Sequence, residues 1–112
     1  KWDITAMTDL PEIDEQTRTK IESQVYRKLI EHLRQNPEVQ NIDLMNLAYF
    51  CRNCISKWYG SAAAEHGIDV DNMQAREIVY GMPYSDYKAK YQEKASPEKL
   101  EAFKESEKKA ST

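Results

Sequence analysis

Glycine and proline are scarce, with three and four residues in a chain of 112. An all-β sandwich or barrel needs turn residues at roughly every eight to twelve positions. So small a supply excludes that class and favours a few long helices. No apolar run approaches the ~20 residues that cross a bilayer as a helix. No basic stretch leads into an apolar one, so neither a membrane partner nor export is expected. The two cysteines are too few for a secreted disulfide framework, and a reducing cytoplasm is the expected location. Two histidines, His32 and His66, limit any metal site to a sparse donor set. A phosphate-cradling glycine loop, a nucleophile elbow and a zincin helix are all missing, and nothing argues for an enzyme.

A chain of this length fits one domain and buries roughly two-thirds of its unfolded surface. The 40% apolar and 31% charged residues are ordinary for a globular protein. The net charge of −3 is unevenly spread: −4 over residues 1–15, +3 over 16–60, −2 over 61–95 and zero over 96–112. The basic residues of the +3 segment stand singly among apolar ones. They form no stripe of the kind a nucleic-acid backbone requires, so no nucleic-acid partner is expected. Met7 has the character of an initiator. Lys1–Ala6 is set aside as an upstream extension or expression remnant, and residues 1–14 as a whole read as an acidic leader.

A single helical domain is expected over residues 15–103. The first helix runs from about Glu15 to Gln35, capped by Asp14 and stopped by Asn36-Pro37. Ile21, Val25, Leu29 and Leu33 fall four apart, with Tyr26 and Ile30 beside them, which makes one apolar face. Asp43 is expected to cap a second long helix reaching about Glu65. Its stripe is Leu44, Leu47, Ala48, Cys51, Ile55, Trp58 and Ala62, and His66-Gly67 ends it. Asp69 or Asp71 starts a third helix closed by Gly81. Pro83 fits the first turn of a fourth, holding Tyr84, Tyr87 and Tyr91. Ser96-Pro97 opens a fifth to about Lys109, with residues 104–112 a charged tail expected to fray. The fold class is therefore all-α: an antiparallel hairpin of two long helices covered by two or three shorter ones.

Chemistry centres on Phe50-Cys51-Arg52-Asn53-Cys54-Ile55-Ser56-Lys57-Trp58-Tyr59, which holds both cysteines as C-x-x-C. Three readings are open. The thiols are small apolar residues on a buried stripe, as free cysteine commonly is. Alternatively they share zinc or another transition metal, with His32 as a third ligand. Positions i and i+3 on a helix point the same way, yet structural zinc normally takes four ligands. In the expected hairpin His32 and Cys51 differ in level by roughly 6 Å at 1.5 Å per residue. The third reading is a dithiol redox pair. Such pairs place the reactive cysteine at a helix N-terminus, whereas Cys51 is expected about two turns inside, with Arg52 pointing about 100° away.

The run Val39 to Tyr59 closely resembles the domain of unknown function 1244 family. So do Tyr26-Arg27-Lys28-Leu29-Ile30-Glu31-His32-Leu33 and Gln74-Ala75-Arg76-Glu77-Ile78-Val79-Tyr80-Gly81-Met82-Pro83-Tyr84. The resemblance spans roughly Glu15 to Phe103 and leaves Lys1–Ala6 outside the pattern. It implies a small bacterial protein with a compact helical domain, and carries no established activity.

Tyr84, Tyr87 and Tyr91 recur at helical spacing, as core packing or as a recognition face. His32, near a helix C-terminus, suits the dipole as well as it suits a metal. An enzyme would need a pocket that joins Arg52 or Tyr59 to the thiols. The leading reading is a cytoplasmic helical interaction module that forms a homo-oligomer and keeps Cys51 and Cys54 in its core. The rival is a metal-binding or thiol-based regulator. Under the leading reading, Cys51→Ser and Cys54→Ser should each lower stability by about 1–2 kcal/mol in urea denaturation. Unchanged midpoints in both variants would count against buried thiols.

Overall fold

The computed structural model describes residues 10–110, so the expected Lys1–Ala6 extension and most of the leader lie outside it. The described residues contain six helices and no strand. They are α1 (Glu15–Gln35), α2 (Asn41–Ala48), α3 (Arg52–Glu65), α4 (Asn72–Tyr80), α5 (Tyr84–Tyr91) and α6 (Pro97–Lys109). The all-α class is as expected.

Several helix ends follow directly from local chemistry. The Asp14 side chain accepts the Thr17 backbone N–H at 2.8 Å, capping α1. Asn36 closes that helix, its amide donating to the His32 carbonyl at 2.8 Å. Asp71 and Gln74 form a reciprocal capping box at the start of α4. Ser96 caps α6 with Pro97 in its first turn. Pro83 stands one position earlier than expected, as the N-cap of α5.

The expected second long helix is not continuous. It starts at Asn41 rather than after Asp43, ends at Ala48, and resumes at Arg52. Tyr49 takes a left-handed conformation (φ 63°, ψ 25°), its N–H still bonded to the Met45 carbonyl at 2.8 Å. Cys51 is then extended (φ −147°, ψ −173°) as the N-cap of α3. The two halves pack on different partners, α2 on α6 and α3 on α4. An antiparallel hairpin is present, but α3 and α4 form it, with Asn53 near Tyr80 and Gly60 near Val70. The first helix packs chiefly across α4.

The break reassigns the apolar faces. A central core joins Ile30 and Leu33 of α1, Ile55 of α3, Val79 and Tyr80 of α4, and Tyr87 of α5. A smaller one joins Met45, Cys51 and Cys54, flanked by Leu44, Phe50, Phe103 and Ala110. Leu47, expected on the buried stripe, is 83% exposed. On α1 only the last turns are buried; Ile21, Val25 and Leu29 are 44%, 64% and 42% exposed. The molecule is correspondingly elongated, 48 × 28 × 25 Å, with a radius of gyration of 16.4 Å. A compact domain of this length would have about 13 Å. At the other end, α6 stays helical to Lys109, and Ser106 is buried where a frayed tail was expected.

Arg34 fixes α1 to α4 by donating to the carbonyls of Val79 and Ile78. Gly81 makes this approach practicable. It has φ +76°, and a Cβ there would lie 2.9 Å from Arg34 Nε. Gly67 shares the positive φ, at +74°, with open space around it. Both Gly→Ala changes should cost about 1–2 kcal/mol from the left-handed backbone. Gly81→Ala should lose more than Gly67→Ala in urea denaturation, and equal losses would show that the Arg34 contact is immaterial.

Candidate functional site

Arg52 opens α3 and is only 1% exposed. An isolated guanidinium pays a large desolvation cost unless its N–H groups find acceptors. Here they are oxygens of the backbone and of one amide. Nη1 donates to the Val39 carbonyl at 2.7 Å and to Asn41 Oδ1 at 2.9 Å. Nη2 donates to the Asn36 carbonyl at 2.9 Å and to the Leu33 carbonyl at 3.4 Å. Leu33 and Asn36 lie at the C-terminal end of α1, where unpaired carbonyls and the helix dipole favour a cation. The Tyr87 ring lies 5.4 Å from the guanidinium carbon.

The network continues through Asn41. Its amide donates to the Tyr80 hydroxyl at 2.9 Å, and that hydroxyl donates to Asn53 Oδ1 at 2.5 Å. Burial raises the Tyr80 pKa well beyond the usual phenol range. The Tyr80 hydroxyl therefore stays protonated and serves as a donor. Gln40, also buried, donates to the carbonyls of Glu38 and Tyr91 and accepts the Glu93 N–H. These groups hydrogen-bond to one another and to nearby backbone groups.

The dithiol adjoins this network. Cys51 and Cys54 occupy the N-cap and third positions of α3, are free thiols, and sit 4.4 Å apart. They are 5% and 7% exposed. Cys54 Sγ lies 3.9 Å from Met45 Sδ. Burial raises the Cys51 pKa above that of an ordinary thiol, while the backbone N–H groups of Asn53 and Cys54 work in the opposite direction. The expected position of Cys51 two turns inside a helix is thus corrected: the break at Tyr49 puts it at a helix N-terminus.

The other sequence-selected residues fall elsewhere. Among the described residues no three His, Cys, Asp or Glu side chains cluster as a metal site would require. His32 is exposed near the end of α1 and does not join the cysteines in such a group. Tyr87, read from the sequence as core packing or part of a recognition face, is 2% exposed and donates to the Pro37 carbonyl at 2.8 Å. Tyr84 and Tyr91 are half-buried against the same core, so the stripe packs inward because α5 lies on α4. Tyr59 is half-buried on α3 facing Tyr26, in a groove with Arg34 and Ile78 and apart from the thiols.

Arg52, Asn41, Asn53 and Tyr80 are the residues that sequence reasoning missed as a set. Helical periodicity put Arg52 about 100° away from Cys51, off the apolar stripe, and no glycine or proline marks the break at Tyr49. The available signal was slight: two adjacent polar residues, Arg52 and Asn53, inside an otherwise apolar stretch. Replacing Arg52 by Met would remove one donor from each of four oxygens and leave Asn41 Oδ1 without the guanidinium it accepts from. It should destabilise the fold by at least about 3 kcal/mol. Arg52→Lys should fail to restore stability, because one ammonium cannot span acceptors on three segments. Near-wild-type unfolding midpoints for both variants would remove this network from its central role.

A model of the family described as protein of unknown function (DUF1244) matches residues 39–105, more than half of the chain. The matched span begins after α1 and contains both cysteines and every member of the Arg52, Asn41, Tyr80 and Asn53 network. Among curated proteins no relative matches. The chain belongs to the DUF1244 family of proteins of unknown function.

Proposed function

We propose that the protein is a small helical interaction module that self-associates through α1, working in a reducing cytoplasm without a nucleic-acid or membrane partner. The observation that carries this reading is the exposed row of Ile21, Val25 and Leu29. These residues lie four apart, within an arc of about 80° on one helix, over a length of about 12 Å. The buried residues of α1 are Ile30 and Leu33, both toward its far end. A large apolar row left in water is characteristic of an interaction surface.

The row is also self-complementary. A two-fold axis through Val25 would run two copies of α1 antiparallel, setting Ile21 of one copy against Leu29 of the other. That is the isologous arrangement of most homodimers. The scattered basic residues and the net charge of −3 support the exclusion of nucleic acid. No described helix is long and apolar enough to cross a membrane. Two free thiols are in keeping with a reducing compartment, where in the reduced state they serve as packing.

Sedimentation equilibrium at micromolar concentrations should show a dimer for the wild-type chain and a monomer for Val25→Glu. Because Val25 is exposed, the variant should keep its helix content, and its unfolding midpoint at high dilution should match the wild type. A wild-type chain that stays monomeric throughout would end this reading.

A further inference from the structure

The packing beneath α6 points to a second property, independent of self-association. We propose that Cys51 and Cys54 form a redox site, a dithiol that closes to an intrachain disulfide, and that α6 is the cover controlling access to it.

The first support is the position of the pair. Cys51 is extended and occupies the N-cap position of a 14-residue helix, where the backbone N–H groups of the first turn act to lower its pKa against the larger effect of burial. A helix N-terminus favours a thiolate. The two residues sit 4.4 Å apart. A disulfide needs its two residues close, with Cα atoms less than about 7 Å apart, and residues one helical turn apart meet that requirement.

The second support is what covers the pair. Phe103 and Ala110 of α6 pack over the cluster of Met45, Cys51 and Cys54. The helix runs parallel to α2 and adds a set of polar contacts to this apolar packing. Lys99 pairs with Asp43 at 2.9 Å, both side chains 45% exposed. The Asn46 amide donates to the Lys99 carbonyl at 3.1 Å, and the Ser106 hydroxyl donates to Asn46 Oδ1 at 2.8 Å. The Lys109 ammonium lies 5.1 Å from the Tyr49 ring centre. The Lys99–Asp43 pair at the start of α6 is exposed, and apolar cover of the thiols comes from Phe103 and Ala110, so this end of the molecule is suited to opening locally, below the free energy of global unfolding. A cavity of about 290 Å³ is lined in part by Ile42 and Met45 of α2 and by Leu100 and Phe103 of α6.

The chemistry balances with a low-molecular-weight disulfide as oxidant. With α6 displaced, the thiolate of one cysteine attacks a sulfur of the oxidant, forming a mixed disulfide and releasing one small thiol. The other cysteine, deprotonated in its turn, attacks the protein sulfur of that mixed disulfide. The Cys51–Cys54 bond forms, the second small thiol leaves, and the protein has lost two protons and two electrons. Reduction by excess small thiol reverses both steps. In the closed state burial disfavours the thiolate, so α6 opening controls the rate.

The test exposes the full, reduced chain to oxidised glutathione under native conditions, with acid quenching and mass spectrometry of the intact protein. The wild type should lose 2 Da without a lasting glutathione adduct. Cys51→Ser and Cys54→Ser should each stop at a single adduct. Lys99→Glu, a surface change that turns an ion pair into a repulsion, should oxidise roughly fivefold faster. Phe103→Ala should be faster still, with circular dichroism confirming that the fold is retained. A wild-type chain that forms the disulfide only when denatured would overturn the redox site. Formation in the native chain at a rate unaffected by Lys99→Glu would overturn the role of α6. Both readouts are made at concentrations where the Val25→Glu variant can be compared, so a failure here is distinct from a failure of self-association.

Discussion

The fold depends on bringing one buried cation to oxygens that come from three parts of the chain. Arg52 stands at the start of α3, while its acceptors lie at the end of α1, in the connection after it, and at the start of α2. No carboxylate is among the hydrogen-bond partners found for its guanidinium. Compensation for desolvation comes instead from carbonyl dipoles, including those that every helix C-terminus leaves unpaired. Such an arrangement works only if all the acceptors are in place together. It therefore fixes the relative position of α1, α2 and α3 more narrowly than apolar contact alone, which tolerates rotation and sliding.

The break between α2 and α3 serves this requirement. An uninterrupted helix would leave Arg52 about 100° from the Cys51 direction and on the solvent side. The left-handed turn at Tyr49 and the extended Cys51 re-aim the chain, so that Arg52, Cys54, Ile55 and Ser56 are all buried. Left-handed backbone is unfavourable for a tyrosine, and the buried hydrogen bonds of Arg52 offset it. One consequence falls on the thiols. The same turn that delivers Arg52 makes Cys51 a helix cap, so the dithiol's chemical setting is a by-product of how the core is assembled.

Away from this centre the structure is unequal in its attachments. Helices α3, α4 and α5 share apolar and aromatic contacts, with Tyr80 and Tyr87 ring centres 4.7 Å apart. The outlying ends are different. Most of α1 projects with an exposed apolar row, and α6 rests on α2 through polar contacts around Phe103. The centre is interlocked, while α1 carries an uncovered apolar row at one end and α6 lies over the buried thiols at the other.

Much of this fold could be read from residues alone. Asp14, Asn36-Pro37, Asp71, Gly81 and Ser96-Pro97 mark helix ends because each acts through its own backbone or a side chain within a turn. Those local effects determined the all-α class and most of the helix boundaries. The break at Tyr49 had no such mark, since it is driven by contacts 11 to 19 residues distant in sequence, from Arg52 back to Asn41 and Leu33. Periodicity likewise identified the apolar residues of α1 but could not say which would be covered, because covering depends on where α4 crosses. The C-x-x-C spacing was evident at once. Its place at a helix N-terminus, beneath α6 and without His32, was decided only in three dimensions, where the satisfaction of one buried charge outweighed the local preference for a continuous helix.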